Sequence, residues 1–246
     1  MERVVAVVSD QGNAGAVLST AHALAARIDA VVQSLRVEQN LLNPQCTTRI
    51  MEASRADDVR MLVLPAVGQQ ALPISHMTGK PVALAPRGSG APSRIKRLLI
   101  PHDGSQPTGM ALAERFSEAH TEDMEVLLLH VLDERSLPSY SDQSSYEFDT
   151  WIEEFKRRYA TFGGTIRVEV LRGTPALMVL AAADKYKPDL LVLGWSRQLL
   201  PGRAATVRQV LEHAAGAMML LPVPAVEPSA RVAWPSQVSR PAALRA

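Results

Sequence analysis

The chain has 246 residues, room for one large or two small domains, and its 47% hydrophobic and 21% charged residues strike a globular balance. A formal net charge of +1 argues against a nucleic-acid partner held by bulk electrostatics, and clusters such as Lys156–Arg157–Arg158 read as a solvated helix face. Cys46 is the one cysteine, which excludes an intramolecular disulfide and leaves no basis for a cysteine metal site.

The opening stretch, MERVVAVVSD, carries an acid at position 2 and no long apolar region with a cleavage site. No apolar run approaches the ~18 residues of a membrane span. The expectation is a cytoplasmic protein that contacts neither membrane nor nucleic acid.

Val4–Val8 is a β-branched run that predicts a short strand. Residues 14–28 are Ala-rich, with Val17, Leu18, Ala21, Leu24 and Ala25 at helical spacing. Val31–Val37 predicts a strand, residues 48–58 a helix, Met61–Leu64 a buried strand and Val82–Ala85 the last strand of this half. The order then repeats. Leu98–Ile100 is a strand, and residues 107–119 form a helix with Pro107 in its first turn. Val126–Val131 is a buried strand, followed by a helix around Phe148–Phe162 and a strand at Arg167–Leu171. Pro175–Lys185 is a helix behind Thr174, a residue suited to an N-cap. Leu190–Leu193, a helix over 203–214, and Ala217–Leu221 complete the chain of elements.

The two halves align in pieces. Asp10 falls opposite Asp103 at an offset of 93, Met51–Pro65 opposite Leu180–Gly194 at 129, and Val82–Pro86 opposite the run near Met219–Pro222 at about 136. The first half is therefore shorter by one helix and one strand, assigned to residues 132–165. Duplication of an alternating strand–helix unit predicts two α/β parallel-sheet domains, 1–90 and 94–224, followed by a Pro-rich extended tail over 225–246. Arg87–Arg94, rich in Gly, Ser and Pro, reads as the linker, and Ser136–Ser145 as a polar loop.

RLLIPHDGS, LLLHVLDE, VLRGTPALMVLAAADKYKPDLLVLGWS and VRQVLEHAAGAMMLLPV, all within Arg94–Val223, together resemble the universal stress protein family. The first half resembles a degenerate copy, so the whole is similar to a tandem member. The resemblance implies Rossmann-like domains of the HUP type, the first shortened. It also implies that the last strands, PVALAP and AMMLLPV, pair antiparallel across a pseudo-two-fold axis inside one chain.

One branch of that family binds ATP through G-x-x-G, nine residues, then G-[ST] after its fourth strand. Glycines let backbone N–H groups approach phosphate oxygens, and the following helix N-terminus adds its positive end. Carried over, Pro101, Asp103, Gly104 and Ser105 match the first loop, Val131 the strand-two position and Gly194 the first motif glycine. Arg197 stands where the second glycine belongs, Ala204 and Ala205 replace Gly-Ser, and the loop is about three residues short. Either Trp195 and Leu199–Leu200 fill a decayed crevice, or Gly202 opens the next helix and Arg197 and Arg203 hold an anion by guanidinium contacts. Pro65 replaces the glycine in the first half, where no nucleotide is expected.

Six histidines show no metal-ligand spacing, although His102 and His130 could both line the crevice. Ser105 lies in no nucleophile elbow, and Gly88–Ser93 lacks the ending of a phosphate loop. The sequence thus points to a non-enzymatic binding or regulatory stress protein with an altered nucleotide crevice, no certain cofactor, and an unknown protein partner. The competing reading is an ATP-binding, slowly hydrolysing protein whose nucleotide state controls a partner. A third is assembly into homo-oligomers through the last strands.

Overall fold

Alternating apolar runs and Ala-rich amphipathic stretches fold into nine strands and six helices among the described residues of a computed structural model, which describes 1–9, 14–37, 41–88, 90–117, 119–133, 153, 157, 165–199 and 204–224. In the first half, β1 (Arg3–Ser9), α1 (Ala14–Ala25), β2 (Val31–Val37), α2 (Pro44–Ser54) and β3 (Val59–Leu64) lead through a short 3-10 turn (Gly68–Gln70) to α3 (Ala71–Thr78) and β4 (Val82–Leu84). In the second, β5 (Arg97–Pro101), α4 (Gln106–Ser117), β6 (Glu125–Leu132) and β7 (Thr165–Arg172) are followed by α5 (Pro175–Tyr186), β8 (Leu190–Trp195), α6 (Ala205–His213) and β9 (Met218–Pro222).

The strands form one sheet in the order β2-β1-β3-β4-β9-β8-β5-β6-β7. Every neighbouring pair is parallel except β4–β9, which is antiparallel. A mostly parallel sheet must bury both faces, and strand side chains alternate between them. Val5, Leu62, Leu84, Leu99, Leu191 and Leu220 join the core that also contains residues of α2, α3, α5 and α6. Val4, Val63, Ala83, Ile100, Val192 and Met219 join the core containing residues of α1 and α4. Both cores run through both halves without a break at β4–β9.

The registers repeat with the sequence offsets. Val5 pairs with Gln33 as Leu98 pairs with Val126, and Leu62 pairs with Val82 as Leu191 pairs with Met218. Across the seam, Val82 faces Leu220, Ala83 faces Met219 and Leu84 faces Met218. Ala83 and Met219 are equivalent at the 136-residue offset, so a pseudo-two-fold axis passes through that pair. Since β4 lies between β3 and β9, and β9 between β4 and β8, neither has an open edge. The hydrogen-bonding edges of both last strands are used within the chain.

Three local expectations also change. The helix placed at 48–58 starts earlier, because Asn43 accepts a cap bond from the Gln45 amide at 3.0 Å and Pro44 opens the first turn. Thr174 has the extended backbone of an N-cap, but its side chain makes no cap bond. The additional strand, β7, runs to Arg172, past the 132–165 span allotted to the insertion. The linker is held at both ends. The Arg87 amide donates to Ala215 O at 3.0 Å, its guanidinium to Leu211 O at 3.1 Å, and Ser19 Oγ to Pro92 O at 3.1 Å. The helix expected at 148–162 (apart from helical Glu153 and Arg157), the 136–145 loop and the 225–246 tail lie outside the described residues.

Leu220→Ala is expected to cost ~2–4 kcal/mol in urea unfolding, because it empties a fully buried site at the seam. Residues 1–90 alone would expose the β4 edge and part of both cores. They are expected to show no cooperative thermal transition, and a sharp transition in calorimetry would contradict the dependence of this half on β9.

Candidate functional site

β8, β5 and β6 are adjacent parallel strands, so their carboxyl ends lie together at one edge of the second half, where ligands of open parallel sheets bind. The β5 ladder continues past its last strand residue, since the His102 amide donates to Leu129 O at 2.9 Å. The chain then turns. The Gly104 amide donates to His102 Nδ1 at 2.9 Å, with Gly104 at φ 78°, a left-handed backbone that favours glycine. The Ser105 amide donates to Asp103 Oδ1 at 3.0 Å, the Asx turn that Asp favours. Ser105 Oγ donates to Thr108 Oγ1 at 3.0 Å and accepts from the Thr108 amide at 3.4 Å, so it caps α4. His130 Nδ1 donates to His102 O at 2.8 Å and ties β6 to the turn.

These contacts set the charges. His102 is 2% exposed, and burial pushes its pKa down to about 4, against the opposing pull of the Asp103 carboxylate. The Gly104 N–H aimed at Nδ1 also keeps a proton off that nitrogen. Burial lowers His130 too, against the His102 carbonyl and Asp103. At Asp103, lost hydration raises the pKa, but the Ser105 amide and the Ser105 and Thr108 side chains hold the carboxyl below its ordinary range. The turn therefore presents one carboxylate beside two neutral imidazoles at pH 7.

Pro101, Asp103, Gly104, Ser105, Val131 and Gly194 come together at these strand ends, with Pro101 and Val131 half-buried. Thr108 and Val223 border the space over Gly194: a Cβ there would meet Thr108 Cγ2 at 3.4 Å and Val223 Cγ1 at 3.5 Å, ordinary contact distances. Trp195 does not fill it. Strand alternation turns the indole into the opposite core, with Leu193, Val207 and Val210. Leu199 is 38% exposed and Leu200 lies outside the described residues, and the side chains nearest the open side of Gly194 are Thr108 and Val223.

Arg197 is engaged elsewhere. Its Nη2 donates to His76 O at 2.8 Å, at the carboxyl end of α3, and His76 Nδ1 donates back to Arg197 O at 2.8 Å. The guanidinium lies 3.3 Å from where a Cβ on Gly79 would sit, and Gly79 ends α3 at φ 66°. Arg197, an anion ligand in one of the two sequence readings, here bonds the two halves together through Nη2. Gly202 and Arg203 lie outside the described residues. Ala204 adopts φ 55° at the start of α6 and offers no side-chain cap, so a glycine-type backbone conformation persists where the residue is alanine. Among the described residues no three His, Cys, Asp or Glu side chains gather as metal ligands, and no helix is long and apolar enough to cross a membrane.

Sequence reasoning missed Thr108, although Ser105-x-x-Thr108 has helix-cap spacing. It also missed His76, for which no local signal exists because its partner is 121 residues away.

Residues 94–222 match the universal stress protein family. A universal stress protein of Methanocaldococcus jannaschii is 28% identical over 108 residues, 40% of this chain and 64% of that protein, so the chain spans less than two thirds of that relative. Among solved structures, a universal stress protein of Archaeoglobus fulgidus superposes with a TM-score of 0.56 at 12% identity, over 90% of this chain and 96% of the other. A candidate universal stress protein of Pseudomonas aeruginosa gives 0.61 at 11% identity, over 91% and 94%. At such identities these two likenesses concern the fold, and their coverage takes in both halves.

The buried histidine predicts a pH dependence. The unfolded chain protonates His102 near 6.5, whereas the folded protein keeps it neutral to about 4. Between those values only the unfolded state takes up the proton, so this contribution is full above about pH 6.5 and is lost as pH falls toward 4. Its size is on the order of 3 kcal/mol, and His130 acts in the same direction. Thermal midpoints are expected to drop over that window and to drop less steeply in His102→Gln. An unchanged slope in that variant would assign the dependence to another group.

Proposed function

The chain belongs to the universal stress protein family, and on that premise we propose that it is a non-enzymatic binding and regulatory protein of a stress response, made of two copies of the family unit at 1–90 and 94–224. The second copy carries an altered crevice for the nucleoside end of an adenine nucleotide. The observation that carries this reading is the asymmetry of the site. The first-loop residues Asp103, Gly104 and Ser105 are held by a complete set of turn and cap bonds. On the opposite side, Gly194 is bordered by Thr108 and Val223, and Arg197 is spent on α3. A triphosphate needs several backbone N–H groups or free cations converging on it, and the one described arginine between Gly194 and α6, Arg197, is bonded to the first half.

The first copy supports no nucleotide. Pro65 follows β3, and proline has no N–H to offer an anion. Hydrolysis is also unsupported, because Ser105 Oγ is occupied as a cap and both crevice imidazoles are pushed toward their neutral, poorly basic forms. Output then passes through surfaces that a protein partner reads.

Calorimetric titration with AMP and with ATP tests this. Both are expected to bind with dissociation constants within a few-fold of each other, and Asp103→Ala is expected to weaken both by at least tenfold. ATP binding more than tenfold tighter than AMP would restore the triphosphate cradle and the hydrolysing alternative. No heat with either at millimolar concentration would remove the nucleotide and leave the protein partner.

A further inference from the structure

We propose that the reciprocal bonds between Arg197 and His76 form a latch that makes the carboxyl end of α3 and residues 196–199 open and close as one unit, and that the crevice works this latch through Gly194. The inference does not depend on which ligand the crevice takes.

Three observations carry it. First, the contact is reciprocal: each residue gives its side chain to the other's main-chain carbonyl at 2.8 Å, so neither segment can leave without breaking both bonds. Second, the closed state is poorly compensated. Arg197 sits at φ 61°, in the left-handed region that favours glycine. Thr78 Oγ1, at the end of α3, and Arg197 Nε are shielded from solvent without a hydrogen-bond partner. Such atoms regain water when the contact opens, which favours local opening over global unfolding. Third, the latch is mechanically continuous with the crevice. Ser105 Oγ bonds Thr108 Oγ1, the Thr108 methyl lies against Gly194, and Gly194 leads through Trp195 and Ser196 to Arg197. Arg197 then fills the space over Gly79, where α3 ends with the Gly79 amide bonded to Ser75 O at 3.1 Å.

Amide hydrogen exchange on the full chain, without ligand, tests the proposal. In the wild type, segments 71–80 and 195–199 are expected to share one opening rate, faster than the central strand β1. His76→Ala and Arg197→Ala should each speed exchange in both segments at least tenfold, leave β1 unchanged, and show at most twofold further acceleration when combined. Arg197→Lys, which keeps the charge but loses the fork, is the milder variant and should fall between. Gly194→Val, which crowds Thr108 and Val223, should speed exchange over 71–80 at least threefold, and should do so no longer in the Arg197→Ala background. Unequal rates in the wild type, acceleration confined to the mutated segment, or multiplying effects in the double variant would each overturn the latch. A Gly194→Val effect that survives without Arg197, or no effect of Gly194→Val, would overturn its connection to the crevice.

Discussion

The antiparallel seam between β4 and β9 is the constraint on which the rest of this structure depends. Three residue pairs make it, yet it joins two parallel sheets into one and lets both cores pass through uninterrupted. Parallel sheets need helices on both faces and leave edges that invite other chains. Joining the last strands removes one such edge from each half and replaces an intermolecular contact with an intramolecular one. The two-fold relation through Ala83 and Met219 then fixes which elements meet: the turn and helix before β4 face α6 and the loop after β8. Arg87 on Leu211 O, Arg208 on Gln69 Oε1 and Arg197 on His76 O all follow from that placement.

The same placement gives residues 196–199, which follow β8, a partner in the other half. A loop that holds phosphate is shaped by its ligand, and without one it needs other contacts. Here α3 of the first half supplies them, and Thr108 and Val223 border the space over the surviving glycine. Ala204, at φ 55°, holds a left-handed backbone that favours glycine at the start of α6.

Much of the fold was legible in the chain because its signals are local. Strand positions followed from short apolar runs. The offsets of 93, 129 and 136 between halves anticipated equal registers, because a one-residue slip would turn every side chain to the wrong face. The first crevice loop was legible for the same reason: Asp103-Gly104-Ser105 satisfies its own backbone within a few residues. The start of α2 was readable in Asn43-Pro44 but was masked by the more periodic residues that follow. The fate of Arg197 was not legible. An arginine beside a lost glycine looks like an anion ligand until the seam brings a helix 121 residues distant against it.

The two halves differ at corresponding strand ends. In the first half Pro65, which has no N–H, follows β3, and the short turn and α3 after it meet α6 and Arg197 across the seam. In the second half, the first loop keeps its complete set of internal bonds while the loop after β8 depends on its neighbour. Neither arrangement would persist in a free single copy: β9 would have an open edge, and Arg197 would have no helix end to bind. Arg197, three residues beyond Gly194, thus ties the end of β8 to the end of α3, and that contact exists because the seam brings the two halves together.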